Sequence, residues 1–372
     1  MLKVLRSEGP FIGVAVSAVI VYTIGENWFS DITHPLLLGG LFVWIFGVIA
    51  WASFGAVRHA DSLAELLGEP YGTLVLTFAA TFIEISVMLS IMSTGDLYPT
   101  LPRDTMMAVV MIVLNGLVGV CLLTGGLRFR EQEFNLQGTR AFLGVLVTLA
   151  ILGLILPRFM NRTSEYAIEL ARAIPFSTLA IVLYGAFIAI QTIRHRGYFT
   201  EPNPGDQPQV PEHGKHPHGI KTRSTPYHAI LLVLILAPIA LLAEELAVIV
   251  DAGMTALSVP VAAGGILIAI LVLAPEGLAA IRAAQVNHLQ RALNISLGSA
   301  LATISLTIPA VVTFSLVTGK SVSLGLDDTG MVLLMATLLV SVVTFAGPRT
   351  NVLQGAVHLV LFAVYVTMVM GP

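Results

Sequence analysis

Residues 72–94 read GTLVLTFAATFIEISVMLSIMST, an apolar run with a single carboxylate, Glu84, near its middle. About 20 apolar residues in a helix cross the hydrocarbon core of a bilayer. A charge held at the centre of such a helix costs about 2.5–3.5 kcal/mol on insertion scales, so it is rare and marks function. Thr73, Thr77, Thr81 and Glu84 are spaced four, four and three, which puts them on one helical face as a stripe of oxygen atoms.

The pattern recurs at 256–281, which is apolar apart from Glu276 in the segment LAPEGL. Pro275 and Gly277 flank that carboxylate and predict a kinked or broken helix. Each run is followed by a second span with polar residues. After Glu84 comes 104–125 with Asn115 at its middle; after Glu276 comes 293–318, where Ser296, Ser299, Thr303 and Thr307 fall three, four and four apart on one face. Two matching helix pairs, each with one buried Glu, are the plan of an ion transporter built from an internal repeat. The plainer reading makes them polar contacts between helices.

Composition points the same way. The chain is 56% hydrophobic and 11% charged, where soluble domains carry roughly 25% charge. This predicts an all-α polytopic membrane protein with the lipid bilayer as its partner. A net charge of -3 without a basic tract gives no sign of nucleic acid. The one cysteine, Cys121, lies in an apolar run, so no disulfide framework exists. Residues 1–9 lead into an apolar stretch without a small-x-small cleavage site, which predicts a retained first span.

Eleven spans are expected: about 10–25, 36–57, 71–94, 104–125, 140–157, 175–193, 227–250, 256–282, 293–318, 330–346 and 351–370. A cytoplasmic amino terminus leaves Arg103, Arg158, Arg162, Arg172 and Lys320 on the outer side and the other 14 of the 19 Lys and Arg inside, as the positive-inside rule asks. The carboxyl terminus then lies outside. Residues 1–30 form an extra helix, and 31–193 and 227–372 form two five-helix units. Because five is odd, the second copy is inverted in the membrane.

The segment between them, 194–226, holds six prolines and four histidines and reads as a flexible cytoplasmic linker. His213, His216 and His218 offer a metal or pH-sensing reading, but histidines without a scaffold favour the linker. The seventh span carries Glu244, Glu245 and Asp251. Neighbours on a helix are about 100° apart, so one of the two glutamates faces inward. Glu244 shares a face with Asp251 and is the candidate. Asp61 lies 23 residues before Glu84 and Asp251 lies 25 before Glu276, so Glu244, Asp251 and Asp61 form a candidate proton path.

No HExxH zinc motif, P-loop or Asp-rich diphosphate motif is present, which argues against an enzyme and against a cofactor. His59, His288 and His358 occur singly and read as helix-end or packing residues. A cation channel would also use carboxylates and polar faces; the paired repeat favours a carrier. Nothing in the sequence speaks to oligomeric state.

Several runs resemble one family. RHADSLAELLGEPYG (58–72), PEGL (275–278), QRALNISLGSALATISLTIP (290–309) and GPRTNVLQGAVHL (347–359) are similar to segments of the bacterial ChaA-type calcium/proton antiporters. More distantly the chain resembles the cation/proton exchangers of the calcium/cation antiporter superfamily. The resemblance implies eleven helices with inverted halves in the inner membrane. It implies exchange of Ca2+, or of Na+ and K+, for protons, with Glu84 and Glu276 binding cation and protons. It departs at Asn294, where those exchangers have an acid, and at Thr81-Phe-Ile-Glu84 and Ala274-Pro-Glu276, where they have Gly-Asn-Ala-Glu. Calcium takes about 6–8 oxygen ligands. Thr81, Ser299, Thr303, Asn115 and carbonyls near Pro275 are the expected complements to the two glutamates.

Overall fold

The computed structural model describes residues 8–24, 34–67, 71–94, 99–160, 166–202, 224–257 and 261–370. Among them run eleven helical rods. They are α1 (Gly9–Ile24), α2 (Pro35–Leu67), α3 (Tyr71–Thr94), α4 (Leu101–Phe129), α5 (136–160), α6 (166–194), α7 (Thr225–Leu257), α8 (Val261–Gln285), α9 (Leu289–Thr318), α10 (Asp328–Thr344) and α11 (Val352–Met370). Each coincides with one of the eleven spans expected from hydropathy. Seven are long and apolar enough over their described residues to cross a bilayer, and three more hold shorter apolar stretches. Large apolar side chains lie outward on these rods, among them Val43, Val182, Val233 and Leu339, each more than 60% exposed. A soluble protein does not present such faces; a lipid-embedded one does. The fold is an all-α polytopic membrane fold.

The helices gather into two compact units, each drawing on both halves of the chain. One comprises residues to Leu101 with Thr222–Pro275, and the other Pro102–Lys221 with Glu276–Pro372. The boundary falls inside α8, which is helical without interruption from Val261 to Gln285. The break expected at Pro275 is therefore absent. Proline is tolerated in membrane helices because neighbouring groups re-satisfy the backbone it frees. It still removes one N–H, the natural partner of the carbonyl four residues back, that of Leu271.

In the first unit α2 packs against α1, α3 and α7. Its buried stripe, Leu41, Ile45, Ile49, Ala52, Ala56, Ala60 and Leu63, advances by four, four and three, the period of one helical face. Gly55 makes the approach close. A Cβ there would lie 2.7 Å from Pro10 Cβ on α1 and 2.9 Å from Ile235 Cδ1 on α7.

In the second unit α4 is the most enclosed rod, with Met106 to Met111, Val113 and Leu114 all buried. It departs from regular helix over Ile112–Leu117, a π segment, and α5 does the same over Ile151–Ile155. An antiparallel two-stranded ribbon, β1 (Glu131–Glu133) and β2 (Arg349–Asn351), ties the end of α4 to the start of α11. In it Glu131 faces Asn351, Gln132 faces Thr350, and Glu133 faces Arg349, whose guanidinium binds the Glu133 carboxylate.

Candidate functional site

Glu84 sits in the first unit, on the buried face of α3, and is 2% exposed. Thr77 and Thr81 share that face at 3% and 1% exposure, while Phe78 and Phe82 on the opposite face are open. The hydroxyl stripe expected from spacing thus runs to the carboxylate through residues 77, 81 and 84. The Thr73 side chain lies outside the described residues.

Glu276 sits in the second unit and is 1% exposed. Ser299 Oγ on α9 donates to its Oε2 at 2.8 Å. Thr303, one turn further along α9, is fully buried, as are Ser296 and Thr307 at 1% and 0% exposure. A Cβ on Gly277 would lie 3.5 Å from Leu117 of α4, so the segment after Glu276 packs on the π segment of α4. A carboxylate moved from water into an apolar setting is costly unless hydrogen bonds or an ion compensate. The Ser299 hydroxyl is one such compensation.

Asn115 occupies the middle of the π segment, where irregular winding is frequently found at functional sites. Both ends of its amide are engaged: Nδ2 donates to Thr337 Oγ1 at 2.8 Å, and Oδ1 is 3.1 Å from His358 Nδ1. His358 Nε2 is 3.0 Å from Thr344 Oγ1. The amide accepts through Oδ1, so His358 carries its proton on Nδ1 and its Nε2 accepts from Thr344. Thr337, Thr344 and His358 were not among the residues expected around Asn115. His358 is fully buried, and a lone ionisable residue inside an apolar span was the only sign of it. Asn115 lies 243 residues away in the chain.

The amide at Asn294 has a structural reason. Its Oδ1 accepts from Gln290 Nε2 at 2.7 Å, and its Nδ2 donates to the Phe199 carbonyl at 2.7 Å. Gln290 Oε1 in turn accepts the Asn135 N–H at 2.6 Å. A carboxylate cannot donate to Phe199, so an acid does not fit this clamp. Nearby His288 is held below the ordinary imidazole range by burial and then by the Arg291 guanidinium. Asn294→Asp is expected to destabilise the protein by about 1–3 kcal/mol, the cost of an unmade buried hydrogen bond, seen as a lower melting temperature with transport per folded molecule unchanged. Faster transport by that variant would mean the position serves the ion.

The side chains of Asp61, Glu244 and Asp251 lie outside the described residues. So do His213, His216 and His218. Glu245 is half-buried. Among the described residues no cluster of three or more His, Cys, Asp or Glu could hold a metal ion.

The sodium/calcium exchanger protein family matches residues 37–193 and 227–371. The chain is 36% identical to the sodium-potassium/proton antiporter ChaA of Escherichia coli over 365 residues, 98% of this chain and 96% of that protein. It is 26% identical to the Ca(2+)/H(+) antiporter ChaA of Bacillus subtilis over 337 residues, 88% and 90% of the two chains. The solved structure of native YfkE shares the fold, with a TM-score of 0.70 at 20% identity over 97% of this chain and 99% of that one. The chain belongs to the sodium/calcium exchanger protein family and is a membrane cation exchanger, not an enzyme.

Proposed function

We propose that this exchanger expels cytoplasmic Ca2+ in return for protons, with Glu84 and Glu276 holding cation and protons in turn. The observation that carries the reading is the burial of these two carboxylates, 2% and 1% exposed, in membrane-spanning rods. Two carboxylates balance one divalent charge. Once the cation has left, ionised carboxylates in a low-dielectric setting are strongly disfavoured, so they take up protons. The cation-loaded and protonated forms are near neutral and can reorient; the empty ionised form cannot. Exchange follows, without leak. Alternation by movement of one helix bundle about a fixed midplane site suits this charge cycle.

The match of one family to two segments, 37–193 and 227–371, supports the two-copy reading of the chain. The Lys and Arg distribution supports an inner-membrane orientation with the amino terminus in the cytoplasm. A second reading, exchange of Na+ or K+ for protons at the same site, is favoured by the 36% identity to the sodium-potassium/proton antiporter ChaA.

The test is collapse of an imposed pH gradient in proteoliposomes on adding Ca2+, Na+, K+ or Mg2+. Saturable collapse with Ca2+ is the expected result. Collapse with Na+ or K+ alone moves the cargo to monovalent ions, and no response to any of them overturns the proposal. Ser299→Ala is expected to weaken apparent cation affinity about 10- to 100-fold, since a hydrogen bond to a charged group is worth about 1.5–3 kcal/mol. Maximal rate should hold, because the carboxylate that titrates is still present. A concentration series of cation in the same assay checks this.

A further inference from the structure

Glu8, just before α1, meets Arg58 and His59 of α2 and Tyr227 of α7 within the first unit, and His59 in turn meets His228 of α7. Arg58 NH2 lies 2.9 Å and His59 Nε2 3.0 Å from Glu8 Oε2, and Tyr227 OH donates to Glu8 Oε1 at 3.0 Å. The other nitrogen of His59, Nδ1, lies 3.0 Å from Nδ1 of His228. His59 is 1% exposed and His228 9%. Among the described residues, Glu8, Arg58 and Tyr227 are the charged and titratable groups that face the two rings.

The contacts dictate where the hydrogens are. A carboxylate only accepts, so His59 Nε2 carries a hydrogen toward Glu8. When the ring is neutral its Nδ1 is then a bare acceptor, and the hydrogen between the rings belongs to His228 Nδ1. The neutral pair then has two ring nitrogens without a hydrogen, His59 Nδ1, which accepts between the rings, and His228 Nε2. A proton added there lets the hydrogen between the rings move to His59, placing the positive charge beside the Glu8 carboxylate. A second added proton would put hydrogens on both facing nitrogens. Two imidazolium rings 3.0 Å apart at those atoms repel, and the contact breaks.

We propose that Glu8, His59 and His228 form a proton-binding site that holds one proton between the two rings and joins α1, α2 and α7 while it does so. It shares no residue with Glu84 or Glu276 and does not depend on the function proposed for them. Glu8 precedes the first rod and His228 follows the 194–226 linker, so the site lies where the amino terminus and linker enter the first unit.

The test is histidine-selective 15N NMR of the full chain in nanodiscs. At alkaline pH a scalar coupling across the N–H···N bond between two imidazole nitrogens is expected. Between about pH 8 and 5, the range in which histidine titrates, the two rings should take up one proton as a unit. His228→Gln should move the His59 midpoint by about one pH unit or more, because coupled groups titrate as a pair. Glu8→Gln should lower the midpoint of the pair. Absence of the coupling in the unsubstituted protein overturns the proposal, whatever the variants do. An unchanged His59 midpoint in folded His228→Gln overturns it as well.

Discussion

Glu276→Gln is expected to abolish cation-driven proton movement in proteoliposomes while leaving the protein folded. The substitution keeps the shape of the side chain, and the Ser299 hydroxyl, which donates to Oε2 at 2.8 Å, can donate to the amide oxygen instead. Burial of the group is then no more costly than before. In the proposed cycle, what disappears is the charge that would hold the cation and the proton that would return in its place. Removing one partner of a buried charge pair costs about 3–5 kcal/mol, which is roughly a 10²- to 4 × 10³-fold loss of apparent cation affinity. Size-exclusion profile and melting temperature should match those of the unsubstituted protein. A variant that keeps more than about a tenth of the flux at saturating cation would remove Glu276 from the mechanism. The same reasoning applies to Glu84→Gln, with Thr81 beside it.

The largest effect on stability is expected at Gly355, not at any carboxylate. A Cβ there would lie 2.6 Å from the backbone nitrogen of Leu123 and 2.9 Å from the carbonyl oxygen of Gly119. Both are backbone atoms of α4 and cannot swing aside as a flexible side chain can. Gly355→Ala therefore pushes α11 away from α4 at a cost of about 1–3 kcal/mol, and Gly355→Val costs more. His358 lies one turn further along α11, so its 3.1 Å contact with Asn115 is lost with the same movement. Thermal unfolding followed by fluorescence size exclusion should show the melting temperature falling in the order native, Ala, Val. Gly144→Ala is the control, because nothing lies within 4 Å of its Cβ position. That change should be neutral or slightly stabilising, since alanine is the better helix former. Equal losses at 144 and 355 would show that the close contact of α4 and α11 is not what matters.

All eleven rods were legible in the sequence because a membrane reduces the problem to length and hydropathy. Their ends were less so. Hydropathy ends the second span near 57, yet α2 runs on to Leu67. The segment Arg58-His-Ala-Asp is polar, so it weakens the hydropathy signal, but it still winds as helix against Glu8, Tyr227 and His228. Pro275 predicts a break and the helix passes through it, because the cost of a missing N–H depends on neighbours that sequence does not name. Burial of Glu84 and Glu276 followed from position alone, and the Ser299 contact was within reach of the repeat pattern. The partners of Asn115, His59 and Asn294 were not. His358 for Asn115, His228 for His59 and Phe199 for Asn294 each lie 95 or more residues away in the chain, and no local period links them. The π segment of α4 left no mark either, since its residues are ordinary apolar ones around Asn115.

The β1–β2 ribbon bears on how the protein is made. Glu133 and Arg349 are separated by 216 residues. At a synthesis rate of about 5–20 residues per second, strand β1 waits on the order of 10–40 s on the ribosome before its partner exists. Over the same interval the glycine face of α4 that receives Gly355 has no α11 to cover it. The second unit therefore cannot reach its final packing helix by helix as translation proceeds. It closes only once β2 and α11 have been made, and chains cut short before residue 349 lack both.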